Sequence, residues 1–173
     1  MKKDNNITAI PNYVSVLEEL KAKIKKTQYK TALSINKKLI LLYWEIGAII
    51  LTQQKEQGWG SKVIEHLSKD LSHSFPGMKG FSPRNLKYMR KLAEMYVDEV
   101  IVQQLVAQIP WGHNVRLLDS VAKHEERIWY VNQTIKNGWS RNVVMLLLNL
   151  KLGILSQNML VSLIFIFLLW TAK

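Results

Sequence analysis

The chain has 173 residues, 48% of them hydrophobic, so it can bury the core of one domain and is too apolar to be wholly disordered. It contains no cysteine, which excludes disulfides, thiolate metal sites and cysteine nucleophiles and is compatible with a cytoplasmic protein. Its net charge of +11 favours a polyanionic partner, either nucleic acid or an anionic membrane surface, over basic residues that merely aid solubility.

The chain is predicted to begin with a disordered stretch followed by two helices. The disorder is predicted for residues 1–11, whose first six residues are polar and lack the apolar core of a secretory signal. The first helix is expected over about residues 12–30, where apolar residues recur every three or four positions: Tyr13, Leu17, Leu20 and Ile24. The second, over about residues 35–57, is apolar on two faces, which predicts burial on both faces at the centre of the domain.

The next two helices are predicted from the residues at their ends. Gly58 ends the preceding helix, and Ser61 is predicted to cap the following one, which extends to about His73. After a loop, Ser82 at the cap and Pro83 at the first helical position start a helix that runs to about Val97. This pair resembles a helix-turn-helix, although its loop of about eight residues is longer than the usual three or four.

Three shorter helices complete an all-α prediction. They are expected over about residues 98–108, 113–121 and 125–137. No window alternates apolar and polar residues at period two, so strands are at most minor. Five tryptophans lie in apolar stripes or beside helix ends, which favours core packing over stacking on bases: Trp44, Trp59, Trp111, Trp129 and Trp139.

The composition changes near the C-terminus. No acidic residue follows Glu126, and residues 159–170 form an apolar run of 12 residues. A membrane-spanning helix needs roughly 18 to 20 residues, so this run is too short unless polar residues are included. Three interpretations compete: a frame-shifted or truncated end, which the abrupt change favours, a membrane tail anchor, and an apolar C-terminal helix of the core.

Clustered basic residues are the main candidate binding site. On the predicted helix over residues 61–73, lysines and histidines share one face at steps of four, three and four. The helix after Pro83 carries a basic cluster with no acid before Glu94. Because Arg and Lys bind phosphates and Asn and Arg read base edges, we predict DNA binding. The predicted contact residues are Lys62, Lys69, Arg84, Asn85, Lys87, Tyr88, Arg90 and Lys91; the alternative is a solvated charged face.

Metal binding and catalysis are not expected. His66 and His73 are two helical turns apart, rather than at the adjacent-turn spacing of helical metal sites. No phosphate-binding glycine loop or nucleophile elbow is present. Glu19 and Lys21 match half of a metal-dependent nuclease motif by chance, on an amphipathic helix. We therefore expect no cofactor, no metal and no enzymatic activity.

Five sequence blocks occur in order along residues 12–142: LLYWEIG (41–47), GWGSKVI (58–64), GFSPRNLKYMR (80–90), IPWGHN (109–114) and NGWSRN (137–142). Together they closely resemble the N-terminal domain of the YhcG-type bacterial proteins. The resemblance implies a helical, winged-helix-related DNA-binding domain whose contact helix lies at residues 81–90. In that family this domain precedes a PDDEXK nuclease domain, and members are often linked to mobile elements or restriction-type defence.

The C-terminal tail departs from the family pattern. Residues 143–173 do not resemble the charged helix and linker that follow in family members, and the Asp and Glu-x-Lys residues of the nuclease are absent. We therefore expect a cytoplasmic DNA-binding or target-recognition module without its nuclease domain. The alternatives are a protein-interaction or assembly module, as a homo-oligomer or with another protein, and a tail-anchored membrane protein.

Overall fold

The computed structural model describes residues 12–150, which contain seven α-helices, one short 3-10 helix and no β-strand. The helices are α1 (Tyr13–Gln57), α2 (Ser61–Ser74), α3 (Pro83–Met95), α4 (Glu99–Gln104), α5 (Trp111–Ser120), α6 (His124–Asn137) and α7 (Arg141–Asn149), with the 3-10 helix at Val106–Gln108. The predicted all-α fold class is confirmed. The disorder predicted for residues 1–11 and the apolar helix predicted within residues 151–173 lie outside the described residues.

A single helix, α1, replaces the two helices predicted before Gly58. The sequence between Lys30 and Ile35 changes its apolar pattern but contains no glycine or proline, so nothing in it breaks the helix. The described chain divides after Ile35 into two compact units. In the first unit every α1 side chain is exposed except the half-buried Leu17.

In the second unit, both apolar faces predicted for this part of α1 contribute buried residues. Ile40, Tyr43 and Ile50 are buried in the core. Leu42 and Ile49, on another face, remain 37% and 62% exposed. They line an open apolar groove of about 370 Å³ whose other walls come from α2 and the loop before α3: Leu67, Leu71, Phe75, Met78 and Phe81. The side of α1 that carries Leu42 and Ile49 therefore borders a surface groove.

The backbones of α1 and α3 approach each other closely at Gly47. A Cβ atom at this position would overlap the carbonyl group of Met89 and lie 2.9 Å from the amide nitrogen of Arg90. Only glycine leaves room for this crossing, which holds α3 against the centre of the domain.

Local end signals explain most helix boundaries. The predicted start of α3 is confirmed. The Ser82 side chain accepts a hydrogen bond from the backbone N–H of Asn85, and Pro83 is the first helical residue. Gly138 ends α6 in the left-handed conformation, at φ 63°. The prediction for α2 was wrong by one residue: Gly60 is its cap, and Ser61 already lies in the helix.

Within residues 12–150, three clusters of buried side chains form the core. One joins α1 and α3 to the α4 region, the second joins α1, α2 and α3, and the third joins α5, α6 and α7. Val144 and Leu147 of α7 are buried in the third cluster, so the packed unit continues beyond Asn142. Four tryptophans pack against these clusters, as predicted: Trp44, Trp111, Trp129 and Trp139.

A buried arginine connects the ends of two helices to α6. Arg127 of α6 is 2% exposed, and its guanidinium donates hydrogen bonds to the carbonyls of Val121 and Ala122, at 2.8 and 2.6 Å. A longer contact of 3.5 Å reaches the carbonyl of Met95, the last residue of α3. The same guanidinium lies 5.4 Å from the centre of the Tyr96 ring. Carbonyl oxygens and an aromatic face therefore solvate this buried charge.

Candidate nucleic-acid interface

The basic cluster predicted on α3 lies mainly on the side of the helix opposite its core contacts. Leu86, Met89 and Leu92 are fully buried. Arg84 and Lys87 are exposed and Lys91 is half-buried, and their spacing of three and four residues places all three on the other side of the helix. The buried face thus fixes the orientation in which α3 presents its basic residues.

Tyr88 connects the basic face of α3 to α5. The Arg84 guanidinium lies 5.7 Å from the centre of the Tyr88 ring. The Tyr88 hydroxyl donates a hydrogen bond of 2.7 Å to Asp119 of α5, and the Lys91 ammonium lies 3.5 Å from the other oxygen of the same carboxylate. Hydrogen bonding to Tyr88, followed by charge interactions, raises the pKa of Arg84.

Asn85 is engaged within the domain. Its side-chain amide donates a hydrogen bond of 2.5 Å to the Gly80 carbonyl, and its side-chain oxygen accepts one of 2.7 Å from the Trp111 indole. Gly80 adopts a positive φ of 120°, which favours glycine. Asn85 therefore ties the start of α3 to the preceding loop and to α5.

Arg90 and Lys87 line a cleft between α1, α2 and α3. The cleft has a volume of about 240 Å³ and is also lined by Ile50, Ser61 and Ile64. Arg90 donates a hydrogen bond of 3.3 Å to Gln54 and lies 3.5 Å from the Glu94 carboxylate. Part of its charge is thus balanced locally, whereas no described residue forms an ion pair with Lys87.

Lys62 and Lys69 lie on the exposed side of α2, away from the buried Ile64 and Ser68. Neither forms a hydrogen bond or an ion pair with the α3 cluster within residues 12–150. What joins the two helices is core packing and a hydrogen bond of 2.6 Å from the Ser68 hydroxyl to the Phe81 carbonyl. The structure brings Arg84, Tyr88 and Lys91 together around Asp119.

Sequence reasoning missed Asp119 and Trp111 as parts of this region. Both come from α5 and reach α3 through contacts across 26 to 31 residues, for which the local sequence has no signal. It also omitted Lys79, an exposed lysine in the loop just before Gly80. Its charge and its position between Gly77 and Gly80 would have supported including Lys79 among the predicted contact residues.

Two features are absent from the part of the chain that the structure describes. No group of His, Asp and Glu side chains there is arranged to hold a metal ion. Within the same residues, every helix is too short or too polar to cross a bilayer.

Comparison with known proteins identifies the family. The family model of the DUF1016 N-terminal domain matches residues 19–152. No curated protein and no solved structure matches the chain. The family match confirms the resemblance to the YhcG-type N-terminal domain, and it extends beyond Asn142 through α7. The chain therefore belongs to the DUF1016 N-terminal domain family.

Proposed function

We propose that this domain binds duplex DNA through the outer face of α3, as a target-recognition module that acts in the cytoplasm. The observation that carries the proposal is the exposed basic face of α3, where Arg84 and Lys87 project opposite a fully buried apolar face. A rigid helix that presents several cations to solvent is a common way to contact phosphates and base edges. The family match accounts for an N-terminal domain only, and we propose no catalytic activity.

The contacts within the cluster support different roles for its members. Arg84 and Lys87 are exposed and would contact phosphates, since none of the described acidic side chains forms an ion pair with them. Tyr88 would hold the Arg84 guanidinium in place through its ring. Asn85 would act by positioning the start of α3, because both ends of its amide are already hydrogen-bonded.

The remaining basic residues would make smaller contributions. Arg90 and Lys91 each lie within 3.5 Å of a carboxylate, and a phosphate would have to compete with Glu94 and Asp119 for them. Both acids are more than one-third exposed, so this competition is weak and screened by salt. Lys62 and Lys69 would extend the contact along α2 if the duplex is long enough to cover both helices.

The test is the salt dependence of binding to a generic duplex. Fluorescence anisotropy of labelled DNA is measured over a series of salt concentrations for the wild type and for the double variant Arg84→Ala with Lys87→Ala. If each side chain neutralises one phosphate, the slope of log K against log salt becomes shallower by about 2, or about 0.9 per phosphate. Affinity at low salt falls in parallel, and circular dichroism should show unchanged helix content.

A matched control separates a specific face from net charge. Lys123→Ala with Lys136→Ala removes the same charge from two exposed lysines at the ends of α6. We expect this variant to bind like the wild type apart from a small uniform electrostatic loss. Equal losses in the two double variants would refute α3 as the contact helix. Absence of wild-type binding at low salt would refute DNA as the partner.

A further inference from the structure

The first part of α1, residues 13–35, carries an apolar stripe, and other exposed apolar residues lie outside it, among them Val14, Val16, Tyr29 and Leu33. Leu20, Ile24 and Ile35 are 51%, 56% and 62% exposed, with Tyr13 and Leu17 on the same side. Tyr13, Leu17, Leu20 and Ile24 recur at steps of four, three and four residues. This alternation of three and four is the spacing of a helix-pairing seam.

Lysines lie along both edges of this stripe. Lys21 and Lys25 follow one edge, and Lys23 and Lys30 follow the other, as the helical period requires. Residues 13–35 contain five lysines and two glutamates, Glu18 and Glu19. Glu18 is paired with Lys21 at 2.7 Å, so most of the positive charge along the edges has no acidic partner within residues 12–35.

We propose that this lysine-flanked seam, formed by Tyr13, Leu17, Leu20, Ile24 and Ile35, binds an amphipathic helix of another protein that carries acidic residues on both flanks. Residues that flank a helix-pairing seam select the partner by charge. A second copy of this chain would bring lysines against lysines at both edges and is disfavoured. An acidic helix would cover the apolar side chains and neutralise the lysines together.

The experiment uses the full chain and two synthetic helical peptides. Both peptides have leucine along the seam; one has glutamate at its flanks, and the other has lysine at the same positions. Binding is measured by isothermal titration calorimetry. We expect the glutamate peptide to bind, with an affinity that falls as salt rises, and the lysine peptide not to bind.

Variants with matched controls locate the site. Leu20→Gln with Ile24→Gln should weaken binding of the glutamate peptide by at least about tenfold, because the seam loses its apolar contact. Tyr29→Gln with Leu33→Gln changes two residues that are 66% and 41% exposed but lie off the seam, and should leave binding unchanged. Since all four residues are exposed, neither variant removes core packing, and DNA binding should be unaffected in both.

Charge reversal gives the sharpest result. Lys23→Glu with Lys25→Glu changes one lysine on each edge and should shift the preference toward the lysine peptide. Equal binding of both peptides by the wild type, or no binding of either, would overturn the proposal. So would self-association in analytical ultracentrifugation that the Leu20→Gln, Ile24→Gln variant abolishes, since the occupant would then be a second copy. Loss of binding to anionic vesicles in that variant would assign the seam to a membrane.

Discussion

Replacing Gly47 with alanine should disrupt the crossing of α1 and α3. The new Cβ would overlap the Met89 carbonyl group and lie 2.9 Å from the Arg90 amide nitrogen. Both neighbours are backbone atoms, so no side chain can move aside to make room. The two helices would have to separate by a distance on the order of 1 Å, in a core whose packing density leaves few voids.

Two opposing effects determine how much Gly47→Ala changes the free energy of unfolding. Alanine is favoured over glycine in a helix interior by up to about 1 kcal/mol. Inserting a methyl group into a packed site typically costs about 1–3 kcal/mol, and the backbone overlap at Gly47 places it at the upper end of that range or beyond. We therefore expect a net destabilisation of about 2 kcal/mol, which lowers the Tm of a domain this size by about 4–8 °C.

Gly112→Ala is the matched control. Gly112 also lies in a helix, α5, but a Cβ there would contact only the Arg141 side chain, at ordinary distances of 3.6 and 3.7 Å. This variant should melt at the wild-type temperature or slightly above it. Thermal unfolding followed by circular dichroism compares the two substitutions. If Gly47→Ala unfolds at the same temperature as Gly112→Ala, the close crossing of α1 and α3 is refuted.

Three further predictions concern single side chains of the same domain. Arg127→Met leaves the carbonyls of Val121 and Ala122 without their donor and should destabilise the domain by about 2–4 kcal/mol, measured by urea unfolding. Ser82→Ala removes the cap of α3 and should cost about 1 kcal/mol by the same measurement. Burial, with a smaller contribution from Glu126, raises the pKa of Tyr130 from 10.0 to about 12. Above pH 10 the unfolded chain loses this proton first, so stability should fall as the pH rises from 10 to about 12. Burial also raises the pKa of Tyr43 and Tyr96, so titration of tyrosinate absorbance should show a late-ionising fraction that is smaller by one tyrosine in Tyr130→Phe.

Specific outcomes would contradict each of these. Arg127→Met with wild-type stability would mean that the carbonyl contacts are replaced by water. Ser82→Thr retains a capping oxygen and should stay close to the wild type, so an equal loss in Ser82→Thr and Ser82→Ala would argue against the cap. A Tyr130→Phe titration curve that differs from the wild type at its early phase instead of its late phase would assign the raised pKa to another tyrosine.

Helix ends were predictable where the signal was local. Ser82 with Pro83 and Gly138 act through their own backbone preferences and nearest neighbours, and the structure confirms each of these boundaries. The break predicted after Lys30 is wrong because the apolar pattern changes there but no residue that stops a helix is present. An apolar pattern reports burial, and burial changes at Asn36 while the helix continues.

The contacts of the proposed interface were less predictable. Composition and helical spacing identified Arg84 and Lys87, and both are exposed. The engagement of Asn85 with Trp111, and of Tyr88 with Asp119, depends on how α5 packs against α3. The groove beside Leu42 and Ile49 was also not predictable. A stripe of apolar residues in the sequence does not show whether another helix or loop covers it.

Arg127 makes the order of α3 depend on a helix that the proposed interface does not include. Its two short hydrogen bonds join the segment after α5 to the first turn of α6, and its contacts with the Met95 carbonyl and the Tyr96 ring join both to the end of α3. Unfolding of α6 would therefore free the last turn of α3 as well, so these segments should open as one cooperative unit in hydrogen exchange. A shortened domain that ends before α6 would retain every proposed DNA-contacting residue and still lose the rigidity of the helix that carries most of them.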